Sequence, residues 1–63
     1  MHEFQIPNMS CGHCVRSITE AVQALDPAAR VTADVAQHKV QVESAAQREA
    51  LVARLTEAGY APA

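Results

Sequence analysis

The chain has 63 residues, enough for one domain, residues 1–63, which buries only about 60% of the surface its unfolded form exposes and leaves little volume for an organic cofactor or a deep substrate cleft, so no enzyme is expected. Its net charge is −2, with five Lys and Arg dispersed among seven Asp and Glu, so the electrostatic footprint of a nucleic-acid binder is missing. No apolar run nears the ~20 residues that cross a bilayer, and His2 and Glu3 stand where a secretion signal carries basic residues; the chain therefore reads as cytoplasmic and not membrane-embedded.

From the start, residues 2–7 alternate, with Phe4 and Ile6 on one face and Glu3 and Gln5 on the other, which predicts a short strand ending at Pro7. Asn8 to His13 is a loop. The apolar positions Val15, Ile18, Val22 and Leu25 then fall in steps of three, four and three, one stripe of a helix spanning roughly residues 12–25 and stopped by Asp26-Pro27. Residues 30–43 contain two alternating runs, Val31, Ala33, Val35 and then Val40, Val42, separated by Gln37 and His38; they predict a hairpin. Ser44-Ala45-Ala46-Gln47 has the form of a capping box, so a second helix is expected to start there. It carries Leu51, Val52, Leu55 and Ala58 inward and ends at Gly59. Tyr60 to Pro62 is left for a last strand.

The order strand, helix, strand, strand, helix, strand favours an α+β, ferredoxin-like βαββαβ sandwich, with both helices on one face of a four-stranded antiparallel sheet. The other face then carries Glu3, Gln5, Thr32, Asp34, Gln41 and Glu43, the polar set that a solvated face requires.

The chemistry sits at the first loop-to-helix junction. Cys11 and Cys14 are separated only by Gly12 and His13, so both sulfurs can point at a common centre while Gly12 lets the backbone turn tightly. In a reducing compartment two such cysteines are a metal or redox pair rather than a structural disulfide. Cys14 falls in the first helical turn, where free N–H groups and the helix dipole favour an anion and lower a thiol pKa. Soft thiolates select Cu(I), Zn or Hg over harder ions, and a site of two sulfurs suits d¹⁰ Cu(I), whereas structural zinc takes four ligands.

Other donors fit less well. His13 lies between the cysteines and is expected to point away from their shared centre, although its proximity lets it tune their charge or contact a weakly held third ligand position. His2 near the chain end and His38 at the hairpin tip read as exposed surface side chains. Met9 is a candidate for contact with the site, although an apolar residue at a helix start commonly tucks into the core, so it reads as a buried anchor of the loop. Tyr60 follows Gly59 in a segment expected to pass near the cysteines, where its hydroxyl can hydrogen-bond a thiolate.

A C-x-x-C pair alone also serves haem attachment, zinc ribbons and thioredoxin-like redox proteins. Haem attachment needs His after the second cysteine, and Val15 is there; a zinc ribbon needs a second cysteine pair, which is absent; thioredoxin-like proteins are longer and ordered differently. A metal-binding or redox-active pair remains.

The run Ile6-Pro7-Asn8-Met9-Ser10-Cys11-Gly12-His13-Cys14, together with Glu57-Ala58-Gly59-Tyr60 before the last strand, resembles the heavy-metal-associated domain family, in particular its bacterial copper chaperones. One departure is Pro7-Asn8, where many members have glycine before the methionine. The resemblance implies Cu(I) held by Cys11 and Cys14, with Met9 packed beneath the loop and Tyr60 beside the metal. It further implies transfer by thiolate ligand exchange to a copper-transporting P-type ATPase metal-binding domain or a copper-responsive regulator. The exposed cysteine pair predicts a monomer without metal, and two such pairs can share copper across a symmetric dimer. Two other readings stand beside it: an N-terminal metal-binding domain cut from such an ATPase, and a thiol–disulfide redox protein. With Met1 three residues before Phe4, a complete small protein is the expected case.

Overall fold

A computed structural model covers residues 1–63. In chain order it contains β1 (His2–Gln5), α1 (Gly12–Leu25), β2 (Arg30–Asp34), β3 (Lys39–Glu43) and α2 (Arg48–Glu57). The sheet order is β1-β3-β2, with both pairs antiparallel. β1 and β2 therefore run parallel on either side of β3, with α1 crossing between them, a split βαβ unit.

The centre of the core is the central strand. Val40 lies opposite Phe4 on one side and Ala33 on the other, and Val42 opposite His2 and Val31; both valines are fully buried. Against that face pack Ile18 and Val22 of α1 and Leu51 and Leu55 of α2, the inward stripe of each helix. Glu3, Gln5, Thr32, Asp34, Gln41 and Glu43 are all exposed on the opposite face, as the alternation requires.

α1 occupies the expected span. The outer ends of both apolar stripes are thinner than expected, since Leu25 and Ala58 are exposed. At the end of α2, Gly59 has φ +91°, its N–H bonds the Thr56 carbonyl at 3.0 Å, and the Tyr60 N–H bonds the Leu55 carbonyl at 2.9 Å. This pair of bonds is a Schellman motif, which needs a left-handed residue at the glycine position.

Three expectations are corrected. The fourth strand over Tyr60–Pro62 does not form, and the sheet has three strands; the tail makes one bond to β1, from the Ala63 N–H to the Gln5 carbonyl at 2.7 Å. The reason lies in its donors: the Tyr60 N–H is consumed by the helix end, and Pro62 has none. α2 begins at Arg48 rather than at Ser44, and its N-cap Gln47 makes no side-chain capping bond. The Ser44 hydroxyl instead donates to Asp26 Oδ2 at 2.6 Å and accepts from the Ala46 N–H at 3.0 Å, so it ties the end of β3 to the end of α1. Val35 lies in the turn rather than in β2, because Asp34 Oδ1 accepts the Gln37 N–H at 3.3 Å and folds the chain there.

Gly59→Ala places a Cβ in the left-handed region and is expected to destabilise the fold by about 1 kcal/mol, read as a lower urea midpoint at unchanged slope. The Ser44 hydroxyl and then the Ala28 N–H hold the Asp26 carboxyl below the usual carboxylate range. A carboxyl depressed in the folded state contributes stability above its unfolded pKa, about 3.9, and loses it as the pH falls through the folded value. Asp26→Asn is therefore expected to be less stable than the parent at neutral pH and to converge with it in acid, as thermal melts across pH will show.

Candidate metal centre

The loop that carries the cysteines is built on a buried anchor. Met9 is fully buried and Ile6 beside it likewise; the Met9 N–H closes a turn on the Ile6 carbonyl at 3.1 Å. With the chain pinned there, Ser10 and Cys11 emerge at the surface. Cys11 takes an extended backbone conformation as the N-cap of α1, and its carbonyl accepts the N–H of Cys14 at 3.1 Å. One helical turn brings the two side chains together: the sulfurs are 3.2 Å apart. Both cysteines are free; Cys11 is exposed and Cys14 buried.

The two sulfurs thus differ in setting. Cys14 sits in the first turn of α1, which has no acidic side chain, so a thiolate there is the group that answers the positive end of the helix. The Cys14 thiol is lowered from 9.0 to about 6, first by the Tyr60 hydroxyl, then by the backbone of Ser10 and the Cys11 thiol, against an opposing push from burial. Tyr60 is shifted the other way, its hydroxyl held protonated above the ordinary value chiefly by donation to Cys14. The two shifts run in the directions that favour a Cys14 thiolate facing a protonated Tyr60 hydroxyl.

The remaining residues singled out in the sequence divide. Tyr60 is brought to the cysteine pair and packs against the core. Met9 lies beneath the loop. His13 is exposed and makes no hydrogen bond to either sulfur. His2 is half-buried rather than exposed, with Nε2 3.1 Å from the Ala46 carbonyl, because its ring stacks on Phe4. His38, expected to be exposed at the hairpin tip, is half-buried, and its Nδ1 lies 2.7 Å from the Met9 carbonyl. Asn8, noted in the sequence only as a loop residue that departs from the family pattern, donates from Nδ2 to the Gly59 carbonyl at 3.3 Å and tethers the loop to the end of α2. Nothing in the spacing of Asn8 or His38 marks either contact, since both bridge residues distant in the chain.

No group of three or more His, Cys, Asp or Glu side chains converges on one point, so the donor set available to a metal is the sulfur pair. The one depression in the surface lies on the polar sheet face, bordered by Glu3, Thr32, Asp34 and Lys39, and includes no residue of the cysteine loop.

The model of the heavy-metal-associated domain matches residues 3–61. The chain belongs to that family. Among solved structures it is similar to the copper chaperone Atx1 from Synechocystis PCC6803 in a trimeric form, with 32% identity, full coverage of both chains and a TM-score of 0.97. A gold-binding protein shares 35% identity over 95% of this chain and 92% of its own, with a TM-score of 0.91. Agrobacterium tumefaciens Atu1203 shares 34% identity over 98% and 97%, with a TM-score of 0.88. Among curated protein sequences none matches. This heavy-metal-associated chain thus keeps the family fold with three ladder strands and a tail beside β1. No helix in it is long and apolar enough to cross a membrane.

Tyr60→Phe removes the largest cause of the low Cys14 pKa. The midpoint of thiolate ultraviolet absorbance assigned to Cys14 is expected to rise from about 6 toward its ordinary value; an unmoved midpoint would show that the hydroxyl does not donate to this sulfur.

Proposed function

We propose that residues 1–63 form one heavy-metal-associated unit that binds a single Cu(I) through Cys11 and Cys14 and hands it to a partner's thiolate, acting as a chaperone and not as an enzyme. The observation that supports it is the pair of sulfurs 3.2 Å apart at the start of α1, one exposed and one buried. Soft thiolates and a low coordination number suit a d¹⁰ monovalent ion, and a pair without further converging donors suits zinc poorly. The likeness to a copper chaperone and to a gold-binding protein points to the same soft, monovalent class.

Transfer follows from the asymmetry of the pair. A partner's thiolate approaches from the solvent side, where Cys11 is exposed, and bonds to the metal to give a three-sulfur intermediate. The bond to Cys11 then breaks, and a second thiolate of the partner replaces the bond to Cys14, so that copper leaves on two partner sulfurs; it stays Cu(I) throughout, and the two thiolates left on this chain are free to take up protons. The fitting partner is the metal-binding domain of a copper-transporting P-type ATPase, or a copper-responsive regulator, in the cytoplasm, where free thiols persist. We take the chain to be monomeric without metal and able to share copper between two exposed loops.

The close sulfurs also favour a second reading, a thiol–disulfide exchange protein. Anaerobic titration with Cu(I) against a competing chelator, repeated with Zn(II), separates them when paired with an insulin-reduction assay. The expected result is one Cu(I) per chain, weak Zn(II) binding and no reductive turnover. Cys11→Ser/Cys14→Ser is expected to lose on the order of 100-fold or more in Cu(I) affinity, as replacement of soft donors by hydroxyls demands. Equal affinity in the double variant would sink the assignment.

A further inference from the structure

We propose that His38 is a positioning residue for the thiol loop: its ring clamps the Met9 carbonyl, so that the opening needed for metal entry is confined to Ser10–Gly12. The inference rests on the metal-binding reading above for its purpose, although its geometry stands without metal.

His38 is the one non-glycine residue with positive φ, at 57°. Such a conformation is disfavoured for a residue with a Cβ and persists where surrounding structure over-determines it, often near functional sites. A hairpin turn that needed only this backbone would be served by glycine or asparagine. What the histidine adds is its ring. Nδ1 lies 2.7 Å from the Met9 carbonyl oxygen, and since a carbonyl can only accept, Nδ1 carries the proton and Nε2 the lone pair when the ring is neutral. The backbone carbonyl of the same residue accepts the Ile6 N–H at 2.7 Å. His38 therefore grips both ends of the Ile6–Met9 turn, which closes on itself through the Met9 N–H to Ile6 carbonyl bond at 3.1 Å. Alongside, Gln5 Nε2 donates to the Gln37 carbonyl at 2.8 Å, so the hairpin turn and the stem of the loop are joined at three points.

The clamp matters because the sulfurs are too close for a bound metal held in line. At 3.2 Å they must move apart, since two thiolates about 2.3 Å from a metal on opposite sides are about 4.6 Å from each other. Cys14 is held in α1 and buried, whereas Cys11 is exposed. With Met9 fixed from below by packing and from the side by His38, the motion is left to Ser10, Cys11 and Gly12. A Cβ built on Gly12 meets nothing within 4 Å, so space for that motion exists.

His38→Gly keeps the backbone conformation and deletes the ring donor; His38→Asn keeps both a tolerance for positive φ and a side-chain amide donor. In the metal-free wild type, ring nitrogen chemical shifts are expected to show the Nδ1–H tautomer, and the opposite tautomer would overturn the proposal even if no variant folds. In His38→Gly, amide hydrogen exchange at Met9 to Gly12 is expected to rise about five- to tenfold, the scale of one lost hydrogen bond, with Cu(I) affinity falling several-fold. His38→Asn is expected to restore exchange to within about twofold of wild type. Unchanged loop exchange in His38→Gly, or an asparagine variant as loose as the glycine one, would also overturn it. Should wild type bind no Cu(I), the metal reading fails while the tautomer and exchange results still judge the clamp.

Discussion

Burial of Met9 is the constraint on which the rest of the site depends. A solvent-exposed loop of a small protein has few means of holding a fixed shape, because its own backbone groups are hydrated and its contacts few. Driving one large apolar side chain into the core contributes about 1.5–3 kcal/mol and sets the position of the chain at a single residue. Met9, fully buried, lies two residues before Cys11. Everything outward of it follows: the extended Cys11, the helix start, and the meeting of two sulfurs across one turn. The Met9 thioether has no exposed surface and packs within the core.

The two thiols then acquire different characters from one local structure. Cys11 precedes the helix and faces solvent. Cys14 is the third residue of the helix, facing inward among apolar neighbours, where a thiolate would be costly without donors. The donors are supplied by the Tyr60 hydroxyl and by backbone groups at the helix start, and together they outweigh desolvation. On the proposed metal-binding reading, an exposed sulfur and a buried one supported by donors form a pair suited to holding a soft ion loosely enough to release it.

Much of this was legible in the sequence. The extent of α1 follows from a single apolar stripe bounded by Asp26-Pro27, and the polar sheet face from strict alternation; both depend on local periodicity. The left-handed Gly59 was equally readable, because few residues other than glycine take that conformation after a helix. What failed depended on partners distant in the chain. Ser44-x-x-Gln47 had the form of a capping box, yet the Ser44 hydroxyl meets Asp26, 18 residues earlier. Tyr60–Pro62 had the place of a fourth strand, yet the helix end had already taken the Tyr60 N–H. His38 read as a surface residue because its acceptor, the Met9 carbonyl, is 29 residues away. A local pattern states what a segment can do, and tertiary competition for its polar groups decides whether it does.

That competition also explains how the two halves of the chain share one site. The Schellman bonds at the end of α2 require Gly59 to turn left-handed, and they commit the Tyr60 N–H to the Leu55 carbonyl rather than to a ladder with β1. The residue whose amide is withheld from a fourth strand is also the one whose hydroxyl lowers the Cys14 pKa. The Gly59 carbonyl, freed by the same turn, accepts Asn8 from the cysteine loop, so loop and helix end hold each other. Loss of a ladder strand and closure of the helix end are two consequences of one backbone conformation at residue 59.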